Sequence, residues 1–550
     1  MIQSADHSAL PGKRPGRIHK TTCCYCGVGC GIEIHQNRHG ELDLRGDADH
    51  PANRGMLCSK GKTLLHVAAS RSRRLTRPLL RPDRRAKPAI AEAVTWDRAM
   101  QHIAAEFRRI IARHGPDAVG FYGSGQCLTE EYYLINKIAK GFLGTNNFDT
   151  NSRLCMSAAV TGYKLTLGAD GPPTTYGDID LADTFLVAGA NPAWCHPILF
   201  RRMEARKASH DAVKVIVVDP RRTASCAIAD LHLQILPGTD VALYNALARE
   251  LWKNDDLNPD FIEKHTTGWA QMAAAVDSFT PEHAGRICGI NPQDIRTAAR
   301  WLGGNRRFLS MWTMGLNQSS RGVDKNIALI ALSLITGKIS RPGCGPMSLT
   351  GQPNAMGGRE VGGMATLLPA HRDMANPEHR RQVADYWGVA SIPEKPGLTA
   401  VEMFAAMREG RMKAIWIIAT NPLASVPDSW QVEAALQKAE LVVVQDIYPN
   451  ETGELADVIL PAAAWLEKTG TMTNADRCIS LLDKVIDPPG QALCDVDILL
   501  KFARTMGWEE SFGNSSPAEI FDQHAGLTAG TDVDITGLSH AVLRRHGPVQ

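Results

Sequence analysis

The chain has no apolar run approaching 18 residues, so nothing in it reads as a membrane-spanning helix. It has no charge surplus: 60 Lys and Arg face 58 Asp and Glu, a net +2. That balance argues against a nucleic acid or membrane partner held by bulk charge. Residues 1–20 are polar, contain Pro11 and Pro15, and lack the apolar core of a secretory leader. Arg14 is not part of a twin-arginine pair. The location expected from these absences is cytoplasmic. No G-x-G-x-x-G follows a strand-like run, and no second cysteine cluster is visible, so no nicotinamide site and no second electron relay is expected.

Cysteine is plentiful, with 13 in the chain. In a cytosolic protein these read as ligands and buried thiols rather than disulfides. Four are spaced for a purpose: Cys23-x2-Cys26-x3-Cys30, then a long loop, then Cys58. Gly27, Gly29, Gly31 and Gly55 lie among them, so the backbone can fold tightly around something small. Three close thiolates and one distant one suit a [4Fe-4S] cluster. The competing reading is a structural zinc site, but zinc sites usually pair their ligands as two knuckles, and only one cysteine lies at the far end. Cys24 is a spare thiol beside the first ligand.

With 550 residues, 44% of them apolar, the chain can bury a large core in several lobes. A basic, proline-containing connector over residues 71–88 follows the cysteine loop. Helical and strand-like segments then alternate to about residue 505, which indicates an α/β class. Strands are expected at 184–187, 213–218, 413–418 and 441–444, and a helix over 241–252 after Gly238-Thr239-Asp240. The region past Gly513 is rich in Gly, Ser, Thr and Asp and weakly patterned.

An internal repeat is visible. Phe185 opens a strand that runs into Asn191-Pro192, then come a strand ending at Asp219, Thr223, Asp230 and Leu236-Pro237. The second copy runs from Ile415 into Asn421-Pro422, Asp446, Thr452, Asp457 and Leu460-Pro461. Ligands of open α/β sheets bind beyond the C-terminal strand ends, where these Asn and Asp residues would sit, and an Asp after a strand can take a ribose or a guanine edge. Two copies imply two similar ligands. The alternative is a duplication that only extends the sheet.

Four strings carry a resemblance: Thr22-Cys23-Cys24-Tyr25-Cys26-Gly27-Val28-Gly29-Cys30; Asn151-Ser152-Arg153-Leu154-Cys155-Met156-Ser157-Ala158-Ala159-Val160; Trp312-Thr313-Met314-Gly315-Leu316-Asn317-Gln318; and Gly351-Gln352-Pro353-Asn354-Ala355-Met356-Gly357-Gly358-Arg359-Glu360-Val361-Gly362. Together they resemble the molybdenum bis-pterin oxidoreductases, the family of formate dehydrogenases and of periplasmic and assimilatory nitrate reductases. The match runs from about residue 17 to the C-terminus and is strongest to the assimilatory branch, from which Cys24 departs where proline is usual.

The resemblance implies a multi-lobed α/β fold. It divides into a [4Fe-4S] domain (17–75) and a core (76–400) holding the first pterin-dinucleotide module (about 180–345). A second module (401–512) and a region (513–550) leading to an absent pterin-closing domain follow. The chain is thus expected to be a shortened member.

It also implies molybdenum held by two molybdopterin guanine dinucleotides and by Cys155, whose soft thiolate suits this metal. Cys23, Cys26, Cys30 and Cys58 would hold the cluster, with Lys60 between it and one pterin. Arg359 would grip a small planar anion, unless it is a structural partner of Glu360. Gln352, Met156 and Met314 would line the metal site. Asn191, Asp219, Arg221 and Asp240 would take one dinucleotide, and Asn421, Asp446 and Thr452 the other. Asn474 lies in a later pterin-side turn, where Ala475-Asp476 departs from the family's Glu-Gly.

Met156 stands where this family's formate dehydrogenases place His, which favours nitrate reduced to nitrite over formate oxidised. The rivals are a formate dehydrogenase and a non-catalytic metal-cluster scaffold. The electron donor expected is a ferredoxin, a flavodoxin or a flavoprotein subunit.

Overall fold

A computed structural model describes residues 16–83 and 91–550. Pro11, Arg14, Pro15 and the 84–88 end of the connector lie outside them. The N-terminal part is an antiparallel sheet of β1 (Arg17–Thr22), β2 (Gly31–Gln36) and β3 (Leu42–Gly46). The cysteine loop joins β1 to β2, and Cys23 N–H donates to the Cys30 carbonyl at 2.8 Å to close it. Cys58 returns at the start of the short helix Ser59–Lys62.

The chain then lays down β4 (Leu79–Leu80), β5 (Glu92–Ala93), β6 (Val119–Gly123) and β7 (Phe148–Thr150). Next come β8 (Thr184–Ala188), β9 (Lys214–Val218), β10 (Leu231–Leu233), β11 (Phe308–Trp312) and β12 (Gly345–Ser348). These last five form an all-parallel sheet in the order β10-β9-β8-β11-β12. Finally β13 (Ala414–Ile418), β14 (Leu441–Asp446) and β15 (Val458–Pro461) precede the hairpin of β16 (Gly470–Thr473) and β17 (Ile479–Leu482). The central strands are buried almost throughout, which is why they read as unbroken apolar runs rather than alternating ones.

The expected strands are present, with β14 extended to Asp446 and the expected 241–252 helix found at Asp240–Lys253. The second module, however, is not confined to 401–512. Its sheet has the order β5-β4-β15-β14-β13-β6-β7, so strands from residues 119–150 complete it. The two halves correspond as β8 to β13, β9 to β14 and β10 to β15. The free edge of β8 is filled by the later β11, and that of β13 by the earlier β6. An unpaired edge leaves a row of unsatisfied N–H and C=O groups, and any strand that fits can cover it, whatever its place in the sequence.

The region past Gly513 also departs from expectation. It forms the helices Pro517–Leu527 and His540–His546, and Phe521, Ala525 and Leu543 pack on Ile479. Val549 exchanges backbone hydrogen bonds with Ile479 at 2.7 and 3.0 Å. Phe521 and Ala525 are one helical turn apart, a period that the polar residues around them masked. Among the described residues, no helix is long and apolar enough to cross a membrane.

Candidate active site

The two large sheets meet at the C-terminal ends of their parallel strands. From β7 the chain passes through Asn151 into the helix Ser152–Leu167, and Cys155 is its fourth residue. From β11 it passes into the short helix beginning at Met314. The Cys155 thiol and the Met314 thioether are 3.4 Å apart, so one sulfur comes from each sheet. From β12 it reaches Gly351, on which a Cβ would lie 3.5 Å from Cys155 Sγ. Burial pushes the Cys155 thiol up, while the Gly351 N–H and the Arg359 charge pull it back. The thiol also lies near a helix N-terminus, which favours its thiolate.

Arg359 stands beside this thiol but not paired with Glu360. Its Nε is 3.0 Å from Asp170 Oδ2, with both side chains almost fully buried. Nη2 lies 2.6 Å from Met356 Sδ. The Asp170 contact is out of line for a hydrogen bond, so both Asp170 oxygens and Arg359 Nε and Nη1 lack a hydrogen-bond partner. Buried polar atoms without hydrogen-bond partners are costly unless a ligand completes them. Glu360 instead accepts from Thr473 Oγ1 at 3.1 Å. Gln352 is engaged within the protein: its amide donates to Asn151 Oδ1 at 2.6 Å and accepts from Ser152 Oγ at 2.8 Å. Met156 is buried, with its sulfur 3.8 Å from Asn317 Nδ2.

The cysteine loop packs directly on the same centre. Gly27 N–H donates to the Gly351 carbonyl at 3.0 Å, and a Cβ on Gly27 would lie 2.2 Å from the Thr350 carbonyl oxygen. Asn474 donates to the Val28 carbonyl at 3.0 Å and accepts from Asp476 N–H and Cys478 N–H, so its amide fastens the cysteine loop to the β16–β17 turn. Cys23, Cys26, Cys30 and Cys58 lie within electrostatic reach of one another, and burial raises the first three. Among the described residues, no three His, Cys, Asp or Glu side chains converge on one point as a single-ion site would need.

Lys60 reaches from this loop to the Trp194 carbonyl at 3.5 Å, and its charge is felt by both Cys26 and His196. His196 in turn meets the Thr350 carbonyl at 2.7 Å. Cys24, pushed up to about 12 by burial, lines a separate cavity of about 360 Å³ together with Tyr25, Asp446, Trp465 and Lys468.

The repeat shares a core set of hydrogen bonds. Asn191 Oδ1 accepts from Ser225 Oγ at 2.8 Å, and that hydroxyl accepts from Ala193 N–H. Asn421 Oδ1 accepts from Thr452 Oγ1 at 2.6 Å, and that hydroxyl accepts from Leu423 N–H. Asp230 clasps the Val215 backbone as Asp457 clasps Val442. Ser225, not Thr223, is thus the mate of Thr452. Asp219 accepts from Arg221 N–H at 2.8 Å, and Arg221 is exposed. Asp446, pushed up to about 6 by burial, accepts from Ile447 N–H and Asn450. Asp240 differs from the others: it is buried in an ion pair with Lys325 at 2.7 Å.

Comparison with known proteins agrees with this arrangement. The family model described as "Molybdopterin oxidoreductase" matches residues 74–505, and "Molybdopterin oxidoreductase Fe4S4 domain" matches 17–70. The chain belongs to the molybdopterin oxidoreductase family. It is 42% identical to a nitrate reductase of Synechocystis over 96% of this chain and 75% of that protein. It is 44% identical to a nitrate reductase of Klebsiella oxytoca over 92% of this chain, which spans only 57% of that longer protein. It is also 36% identical to the alpha subunit of an F420-dependent formate dehydrogenase of Methanocaldococcus jannaschii, covering 93% and 74% of the two chains. The acetylene hydratase of Pelobacter acetylenicus shares the fold, with a TM-score of 0.77 at 20% identity over 95% of this chain and 74% of that one.

The residues present fit what a family member carries. The family carries a molybdopterin and an Fe4S4 domain, and this chain has Cys23, Cys26, Cys30 and Cys58 and a further thiol, Cys155, where the two sheets meet. Three contributors were not legible beforehand. Asp170 follows a helix-ending glycine and reads as a turn residue. Lys140 is fully buried and donates to the Gly362, Met364 and Leu367 carbonyls just past Arg359. His196 gave no signal beyond its place after the first Asn-Pro turn.

Proposed function

We propose that this chain reduces nitrate to nitrite for assimilation in the cytoplasm, using molybdenum held by two pterin guanine dinucleotides. The observation that carries the reading is Met156 directly behind Cys155, its thioether buried beside the Asn317 amide. A thioether neither takes nor gives a proton near neutral pH, so this position suits a reaction that breaks no C–H bond. Relatives named nitrate reductases support the same substrate.

The overall change is NO3⁻ + 2H⁺ + 2e⁻ → NO2⁻ + H2O. When bound, the molybdenum and its pterins would supply the oxygen-atom and electron chemistry. Cys155 would hold the metal. Arg359, with an unpartnered Nη1 and Asp170 fixing its other edge, presents positive charge and a donor to a small anion. Met314 and Met156 wall the site with soft, apolar sulfur. Lys60 places a positive charge between the cluster loop and the first Asn-Pro turn, where it would stabilise an electron held on a neighbouring redox group. The donor feeding the cluster is a ferredoxin, a flavodoxin or a flavoprotein subunit.

The test is an assay of purified, cofactor-loaded protein, with reduced viologen and nitrate in one arm and formate with oxidised viologen in the other. Nitrite formation without formate oxidation is expected. Formate oxidation without nitrite formation would overturn the assignment.

A further inference from the structure

The two Asn-Pro turns superpose in their bonding but differ in what they present. Trp194 and Cys195 N–H both donate to the Asn191 carbonyl at 3.0 Å, and Ala424 and Ser425 N–H both donate to the Asn421 carbonyl at 3.1 Å. Burial follows the same pattern through both turns, position by position. At the matched outward position the first turn carries Trp194 and the second Ala424. The Trp194 indole is 65% exposed, among the most exposed of the large apolar side chains. The comparably exposed Trp430 lies outside the second turn, on the helix Ser429–Lys438.

An indole in that position is costly in water and well shaped for a flat ring. Trp194 lies at the ligand-binding edge of the parallel sheet, in the same turn as Asn191. Its own carbonyl is held by Lys60, the residue that faces the cysteine loop. A planar ligand lying in this cradle would therefore meet the indole face on one side, with the polar groups of Asn191 and Asp219 near its edge. The second cradle offers Asn421 and Asp446 but only a methyl group in place of the indole.

We propose that Trp194 is a stacking platform for a fused-ring heteroaromatic group bound in the first cradle, and that the second cradle holds its ligand without one. The inference rests on the pterin guanine dinucleotide reading above. The ring is either the purine or the pterin, which share this chemistry.

Two experiments test it. The 550-residue chain from cells unable to make the cofactor is titrated with GMP and, separately, with 6-hydroxymethylpterin. The readout is the part of tryptophan emission that Trp194→Phe removes, because the chain has 11 tryptophans. Quenching by GMP assigns the purine, and quenching by the pterin assigns the pterin. Quenching by neither overturns the proposal. In the second experiment, guanine and pterin retained per chain are measured after dilution of loaded protein. Trp194→Ala should lose them roughly 10-fold faster than the parent, and Trp194→Phe within about twofold of it. Retention by Trp194→Ala equal to the parent overturns the proposal whatever the titrations give. A loaded protein that contains pterin but no guanine refutes the dinucleotide form instead, and the pterin titration then decides the role of Trp194.

Discussion

Replacing Arg359 by lysine separates charge from shape. In the parent, Arg359 Nε lies 3.0 Å from Asp170 Oδ2, Nη2 contacts Met356 Sδ, and Nη1 is buried without a hydrogen-bond partner, the Arg359 charge lying within electrostatic reach of Cys155. A lysine ammonium can still meet Asp170 but has no second nitrogen fixed at the Nη1 position. One lost hydrogen bond from a charged donor to an anion is worth about 1.5–3 kcal/mol. If that bond holds nitrate equally in ground and transition states, the loss appears in KM alone, as a rise of about 10- to 150-fold. The assay is viologen-coupled nitrite formation over a range of nitrate concentrations, normalised to molybdenum content. Arg359→Leu is the contrast. It leaves Asp170 buried and unpaired, at a cost of about 3–5 kcal/mol, and should reduce the yield of folded, metal-loaded protein. If the lysine variant matches the parent in both KM and kcat at normal molybdenum content, Arg359 does not touch the anion and the reasoning fails.

Cys155→Ala should keep the visible absorption of the cluster, whose thiols lie in a separate loop, and abolish nitrite formation. Unchanged turnover at full molybdenum content would remove Cys155 from the site. Lys468 bridges Glu131 at 2.6 Å and Asp495 at 2.7 Å; Lys468→Met leaves two buried carboxylates facing each other and should lower the urea midpoint by the equivalent of about 3–5 kcal/mol. Asp476 is raised from 3.8 to about 7, chiefly by burial. Its folded carboxyl keeps a proton that the unfolded chain gives up, so it adds stability below the unfolded value that is lost as pH rises towards 7. Asp476→Asn should therefore gain on the parent between pH 4 and pH 8, by at most on the order of 4 kcal/mol, and parallel urea midpoints across that range would contradict this.

Much was legible along the chain because it is written in local patterns. The x2 and x3 cysteine spacing marked a cluster loop, since ligands to one small group must lie close in the chain or be brought back by one return. Buried parallel strands announce themselves as short β-branched runs, and the Asn-Pro and strand-Asp signatures recur because each copy solves the same local turn. Met156 behind Cys155 is the position at which the family resemblance separates nitrate reduction, the reading proposed above, from formate oxidation.

What the chain could not announce were partners chosen by distance in space. Arg359 was expected to grip a small anion, with pairing to its neighbour Glu360 as the alternative; successive helical residues point apart, and it is Asp170, from beyond the end of another helix, that lies against it. Asp240 and Asn474 had suitable types and places for ligand contacts; tertiary packing set Lys325 against the first and the cysteine loop against the second. The second sheet borrowed strands from residues 119–150 because hydrogen-bonding edges are filled by shape and direction, with no regard to sequence order. By itself the sequence determined the fold class, the cysteine loop and the repeat, all of which follow from short-range periodicity and spacing, whereas Cys155 stood out only through the string that carries the family resemblance. Only the tertiary structure decided that the two sheets meet at Cys155 and Met314, because that contact depends on packing elements far apart in the chain.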